Sequence, residues 1–178
     1  GFGPTLPDGR RMARFLCLNS VRRKNAVDRG EAKAAGILRD SLRERLRRSD
    51  GYLWNIVFLH HPIHAYVGRR FFGLPRGHGS TEQLQQALEP EIRESVDLVL
   101  AGHDHFFQHV TPRHDVHHVV TGGAGKLRRG AETDNDGVVF GADAYHFTDF
   151  SLWSDAAEIR AIDDGGQEIY RAVLPKRR

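Results

Sequence analysis

Apolar positions along the chain follow two patterns, short continuous runs and stripes spaced by three and four residues, and each predicts a different element. Arg14 to Ser20 (RFLCLNS) reads as a short buried strand, and Val21 to Gly30 as a polar, basic loop. From Glu31 to Arg48, Ala35, Leu38, Leu42 and Leu46 recur at helical spacing while Arg39, Arg43, Arg45 and Arg47 fall elsewhere, which predicts an amphipathic helix. Ser49-Asp50-Gly51 stops it. Trp54 to His60 (WNIVFLH) is too continuously apolar for an exposed hairpin, so a strand covered on both faces is expected. A Gly-rich loop follows from Pro62 to Gly79. Ser80 with Gln83 has capping-box spacing, and Leu84, Leu88 and Ile92 then line one helical face. Asp97 to Ala101 (DLVLA) is a second buried strand.

Strand, helix and strand in that order form a βαβ unit, whose parallel strands gather functional loops at their carboxyl ends. Further strands are expected at Phe107 to Thr111, Val116 to Thr121, Tyr145 to Leu152, Glu158 to Ile162 and Glu168 to Leu174. Gly122-Gly123-Ala124-Gly125 and Asp163-Asp164-Gly165-Gly166 break them. The summary is a mixed α/β layered domain without internal repeats or low-complexity tracts.

Composition narrows the class without changing it. The 178 residues are 39% apolar and 28% charged, which suits a soluble globular domain and excludes collagen or a disordered tail. No apolar run approaches the length of a membrane span, and Gly1 to Arg11 lacks the apolar core of a signal peptide. Cys17, the single cysteine, excludes an internal disulfide framework. Net charge is +3 but uneven: residues 1–50 hold thirteen Lys/Arg against six Asp/Glu, residues 51–175 hold ten against seventeen, and Lys176, Arg177 and Arg178 close the chain. The basic first segment could attract a polyanion. No nucleic-acid motif or aromatic platform accompanies it, so a solvated helix face is the better reading.

Histidine is the unusual residue, with ten of eleven falling from His60 to His118. Three of these end buried strands: His60 after the first, and His103 and His105 in Gly102-His103-Asp104-His105 after the second. Imidazoles two apart on an extended backbone can face one side, and neutral imidazole suits Zn, Fe, Mn or Ni. His61 should point to the opposite face from His60 and is the weaker candidate.

These residues resemble a family. Trp54-Asn-Ile-Val-Phe-Leu-His60-His61-Pro62, a Gly-rich loop, a helix, Asp97-Leu-Val-Leu-Ala-Gly102-His103-Asp104-His105 and Gly122-Gly123-Ala124-Gly125, in that order, are similar to the C-terminal half of the calcineurin-like metallophosphoesterases. The likeness is greatest to purple and tartrate-resistant acid phosphatases, and it runs from about Arg14 to Leu174. It implies a layered α/β/β/α sandwich with mixed sheets, of which residues 1–178 would be a single partial domain. It also implies a two-metal site of Fe, Zn or Mn, whose shared hydroxide attacks the phosphorus of a phosphate monoester. His60 and His103 would bind the second metal, His105 the first, and Asp104 would orient them. Where the family places a phosphate-contacting histidine this chain has Arg69, with Arg70 next. Arginine grips phosphate bidentately but does not donate a proton at ordinary pH. Arg69, Arg70 and His61 are thus expected to bind substrate, and His64 or His78 would protonate the leaving group unless both are solvated loop histidines. Asp115-Val-His117 matches the family's first motif out of order and is read as coincidence. The Gly122 to Gly125 turn is read as a packing feature near the site.

The family's carboxylates are missing. Its N-terminal motifs include Gly-Asp and Gly-Asn-His, and this sequence holds no Gly-Asp or Gly-Asn dipeptide. The expectation is a truncated phosphoesterase, with little or no activity alone and with an open sheet edge prone to aggregation. The alternative is a non-catalytic, degenerate module that holds a single metal or a polyanionic partner.

Overall fold

A computed structural model of the chain describes residues 2–20, 32–47, 51–68 and 82–177. Strands β1 (Phe2–Thr5), β2 (Arg11–Leu18) and β3 (Tyr52–Leu59) flank helix α1 (Ala32–Arg47), and helix α2 (Glu82–Ser95) precedes β4 (Leu98–Ala101). Then come β5 (Phe107–Arg113), β6 (Val116–Thr121), β7 (Val138–Ala142), β8 (His146–Leu152), β9 (Ala156–Asp163) and β10 (Glu168–Pro175). Every strand expected from the sequence is present with slightly shifted ends. Two strands escaped the pattern, β1 and β7, and both lie at the edges of a seven-stranded sheet ordered β1-β2-β3-β4-β6-β5-β7. Strands β2, β3, β4 and β6 are mutually parallel, and β1, β5 and β7 run against their neighbours. A second sheet, β10-β9-β8, is wholly antiparallel.

Alternation along each central strand assigns its two faces. Leu16, Leu18, Val57, Leu59, Val99 and Ala101 point to a core shared with Leu38, Leu42 and Leu46 of α1 and with Leu84, Leu88 and Ile92 of α2. The intervening Ala13, Trp54, Ile56, Leu98, Phe107 and Val119 meet Ala157, Ile159, Ala161 and Leu174 of the small sheet. Helices, large sheet and small sheet are three successive layers of the expected calcineurin-like sandwich. The β3 run is covered on both faces from Trp54 to Val57, but not at Phe58, where the expected two-sided burial fails.

The small sheet does not reach the carboxyl end of the central strands. Phe15 and Phe58 alternate in phase with Ala13 and Ile56, yet they stay exposed, as does Cys17. An apolar strip therefore borders the end of the sheet where the histidines lie.

Polar ties fix the layers. Trp54 donates its indole N–H to the Trp153 carbonyl at 2.7 Å, joining β3 to the small sheet. The buried Asp97 carboxylate accepts from the Asn55 amide at 2.7 Å and from Lys176 Nζ at 2.6 Å. Lys176 thus clasps the base of β3 and β4 instead of presenting a free basic tail. On α1, Arg43 Nε donates to Glu91 of α2 at 3.0 Å and Arg45 donates to the Cys17 carbonyl at 2.9 Å. Part of the basic first segment is thereby engaged within the fold.

Candidate metal centre

The parallel register carries the histidines to one place. Because β3 and β4 pair through Leu59↔Ala101, the residues following each strand emerge side by side, and the Gly102 amide donates to the His60 carbonyl at 3.1 Å. His60 Nε2 and His103 Nδ1 stand 3.1 Å apart. At that separation two imidazole nitrogens share either a proton or a cation.

His61 joins them, contrary to the expectation that it faces away. Strand β3 ends at Leu59, so the period-two alternation no longer governs residues 60 and 61. The His61 ring centroid is 4.8 Å from that of His60 and 4.4 Å from that of His103. One ligand atom from each of the three lies within 4.8 Å of the others, the arrangement of a metal-binding group. Among the described residues no carboxylate belongs to it.

Two glycines and a strained turn shape the loop. His103 has φ of 67°, in the left-handed region, and the Asp104 amide donates across it to the Gly102 carbonyl at 2.8 Å. A Cβ on Gly122 would stand 2.1 Å from the Asp104 carbonyl oxygen, and one on Gly123 would strike the Ala144 carbonyl and the His146 ring. The turn after β6 is therefore the packing feature the sequence suggested. It lets Asp104, almost fully buried, sit between its two histidines.

Other candidates are placed as follows. His105 is half-buried two residues beyond His103 and is not part of the three-imidazole group. Arg69, Arg70 and His78 lie outside the described residues. His64 is not a solvated loop histidine: it is 5% exposed, its ring packs edge-on to His118 at 4.6 Å, and its Nδ1 is 3.2 Å from Gln85 Nε2 of α2. Glu89 Oε1 is 3.3 Å from its Nε2 but too oblique for a hydrogen bond. Burial pushes the His64 imidazole below its ordinary value, with Glu89 opposing. His117 enters β6 at the amino end of the parallel strands, opposite the cluster, so its motif match is indeed out of place.

Sequence reasoning missed Ser20. Leu18 pairs with Leu59, so two residues past each strand Ser20 meets His61. Its Oγ accepts the His61 amide at 3.1 Å and lies 3.1 Å from His61 Nδ1. A parallel register counted past the strand ends was the signal that could have found it.

No family model matches the chain. Purple acid phosphatase 17 of Arabidopsis thaliana is 31% identical over 157 residues, which are 85% of this chain and 43% of that protein. Purple acid phosphatase 7 of the same plant is 28% identical over 127 residues, 70% of this chain and 36% of that protein. The chain thus spans less than half the length of the curated relatives it matches. Among solved structures, GAP50, the anchor in the inner membrane complex of Plasmodium, superposes over 93% of this chain and 50% of that one, with a TM-score of 0.71 and 18% identity. These likenesses support a relation to the calcineurin-like metallophosphoesterases, with purple acid phosphatases as the curated proteins the chain is similar to.

Proposed function

We propose that this chain carries the histidine side of a metal-dependent centre that hydrolyses phosphate monoesters, and that turnover needs carboxylates from polypeptide beyond these 178 residues. The observation that carries the reading is the convergence of His60 and His103 at the carboxyl ends of two adjacent parallel strands, in a chain whose curated relatives are phosphatases. A metal ion held there would polarise phosphoryl oxygens and lower the pKa of a coordinated water.

The chain's own part is to hold and to position. Gly122 lets the loop after β4 approach closely, and the Ser20 hydroxyl lies against the His61 ring. Arg69 and Arg70 would grip the phosphate, and His105 would serve the first metal of a completed pair. Supporting a dependence on further residues, the described histidine group contains no carboxylate with which to neutralise two cations. The same all-imidazole composition favours the second reading, a non-catalytic module holding one metal.

Assay against 4-nitrophenyl phosphate with Mn²⁺, Zn²⁺ or Fe²⁺ separates the two. The chain alone is expected to show no turnover, and mixing it with the N-terminal portion of purple acid phosphatase 17 should create turnover that His103→Ala abolishes. Turnover by the chain alone that survives His103→Ala would contradict the assignment.

A further inference from the structure

We propose that His60, His61 and His103 form a three-imidazole site that binds one borderline transition-metal ion without any carboxylate, with His61 as a ligand of its own and Ser20 as the group that orients it. The inference rests on the reading above that the histidine group is a metal centre, and it deepens it. The family resemblance assigns a metal to His60 and His103 and leaves His61 with substrate.

Geometry supports the third ligand. A tetrahedral zinc with Zn–N bonds of about 2.05 Å separates its nitrogens by roughly 3.3 Å. His60 Nε2 and His103 Nδ1 already stand at 3.1 Å, and the third nitrogen lies within 4.8 Å of both. Closing that gap asks for a movement of at most about 1.5 Å. His60 and His61 lie beyond β3 and His103 beyond β4, and the bond from the Gly102 amide to the His60 carbonyl holds the two segments side by side.

The tautomer is set from behind. Ser20 Oγ is bonded to the His61 main chain and lies 3.1 Å from Nδ1, so an Nδ1–H can donate to it and Nε2 keeps its lone pair. Metal-ligating histidines are oriented in this way by an oxygen acceptor on the second nitrogen. An all-nitrogen donor set favours Zn²⁺, Co²⁺, Ni²⁺ or Cu²⁺ over Mg²⁺, Ca²⁺ and Mn²⁺. Three protein ligands also leave a position open for water or an anion.

The test is a Co²⁺ titration of the full chain followed by its visible absorption, with Zn²⁺ competition for affinity and no substrate present. Expected are one equivalent per chain, the intense bands of four-coordinate cobalt, and displacement by Zn²⁺ but not by Mg²⁺. Ser20→Ala should weaken binding about tenfold or more, and His61→Ala should weaken it further. His114→Asn, in the exposed β5–β6 turn, should change nothing. Should His61→Ala fail to give the native circular dichroism, His61→Gln reads the same loss with the hydrogen-bonding shape retained. Wild-type affinity in folded His61→Ala or His61→Gln would overturn the proposal, as would two equivalents bound with equal affinity. Because metal is read directly, a site that loads in the chain but gives no turnover after mixing with the N-terminal portion of purple acid phosphatase 17 condemns only the phosphoesterase reading. Hydrolysis with unaltered metal binding in the His61 variants condemns only the present one.

Discussion

His103 shows what the site costs at the level of one residue. A histidine at φ of 67° occupies backbone that side chains avoid and glycine tolerates. The turn places its imidazole 3.1 Å from His60 Nε2. His103→Gly should therefore be more stable than His103→Ala by about 1 kcal/mol in urea unfolding, while both lose metal binding equally. Equal stabilities would mean the turn stores no strain. A second residue-scale prediction concerns the chain of bonds between the sheets, where His109 Nδ1 lies 2.6 Å from the Tyr170 hydroxyl and Nε2 lies 3.2 Å from His117 Nδ1. Burial, helped by His117, pushes His109 from 6.5 down to about 4. The folded state thus binds this proton less readily than the unfolded chain. Its contribution to stability is present above pH 6.5 and is lost as pH falls toward 4. The loss is on the order of 3 kcal/mol for such a shift, and burial lowers His117, His118 and His146 in the same direction. Urea unfolding between pH 7 and 4 should show a falling midpoint, with a shallower fall in His109→Gln; a flat profile would contradict the buried neutral state.

Elements differ in how far the sequence discloses them, and the difference is physical. Strand β3 and helix α1 are legible because burial on two faces, or on one stripe, leaves its period in the residues themselves. Strands β1 (FGPT) and β7 (VVFGA) are not, since a Pro or Gly interrupts each and only the neighbouring strand stabilises an edge. The histidine pair at the strand ends was legible from order and spacing. His61 was misplaced because it depends on where β3 stops, and Ser20 was missed because it depends on the register with β2. Gly122 lies between these cases: the Gly-rich turn was visible, but its contact with the Asp104 carbonyl was not. Gly122→Ala should displace the loop after β4, destabilising the fold by about 2 kcal/mol or more and weakening metal binding. Thermal unfolding and cobalt titration measure the two effects, and a variant unchanged in both would show that the loop is not held by this approach.

At the scale of the whole molecule, the apolar strip of Phe15 and Phe58 lies beside the end of the sheet that carries the histidines. Exposed aromatic surface of this kind promotes association in water. Phe58→Thr, which keeps a β-branched residue on the strand, should reduce concentration-dependent light scattering with little change in thermal midpoint, whereas a large loss of stability would mean that Phe58 belongs to the core. No described helix is long and apolar enough to cross a membrane. The chain thus gathers three imidazoles on a well-packed scaffold, and among the described residues no carboxylate belongs to that group.

The link between that metal group and phosphate is tested most directly by calorimetric titration of inorganic phosphate into the chain, with and without one equivalent of Zn²⁺, in wild type and in His103→Ala. Phosphate binding that requires zinc and disappears in His103→Ala is the expected result. Binding of equal strength with and without zinc would contradict a metal centre for phosphate esters at His60, His61 and His103.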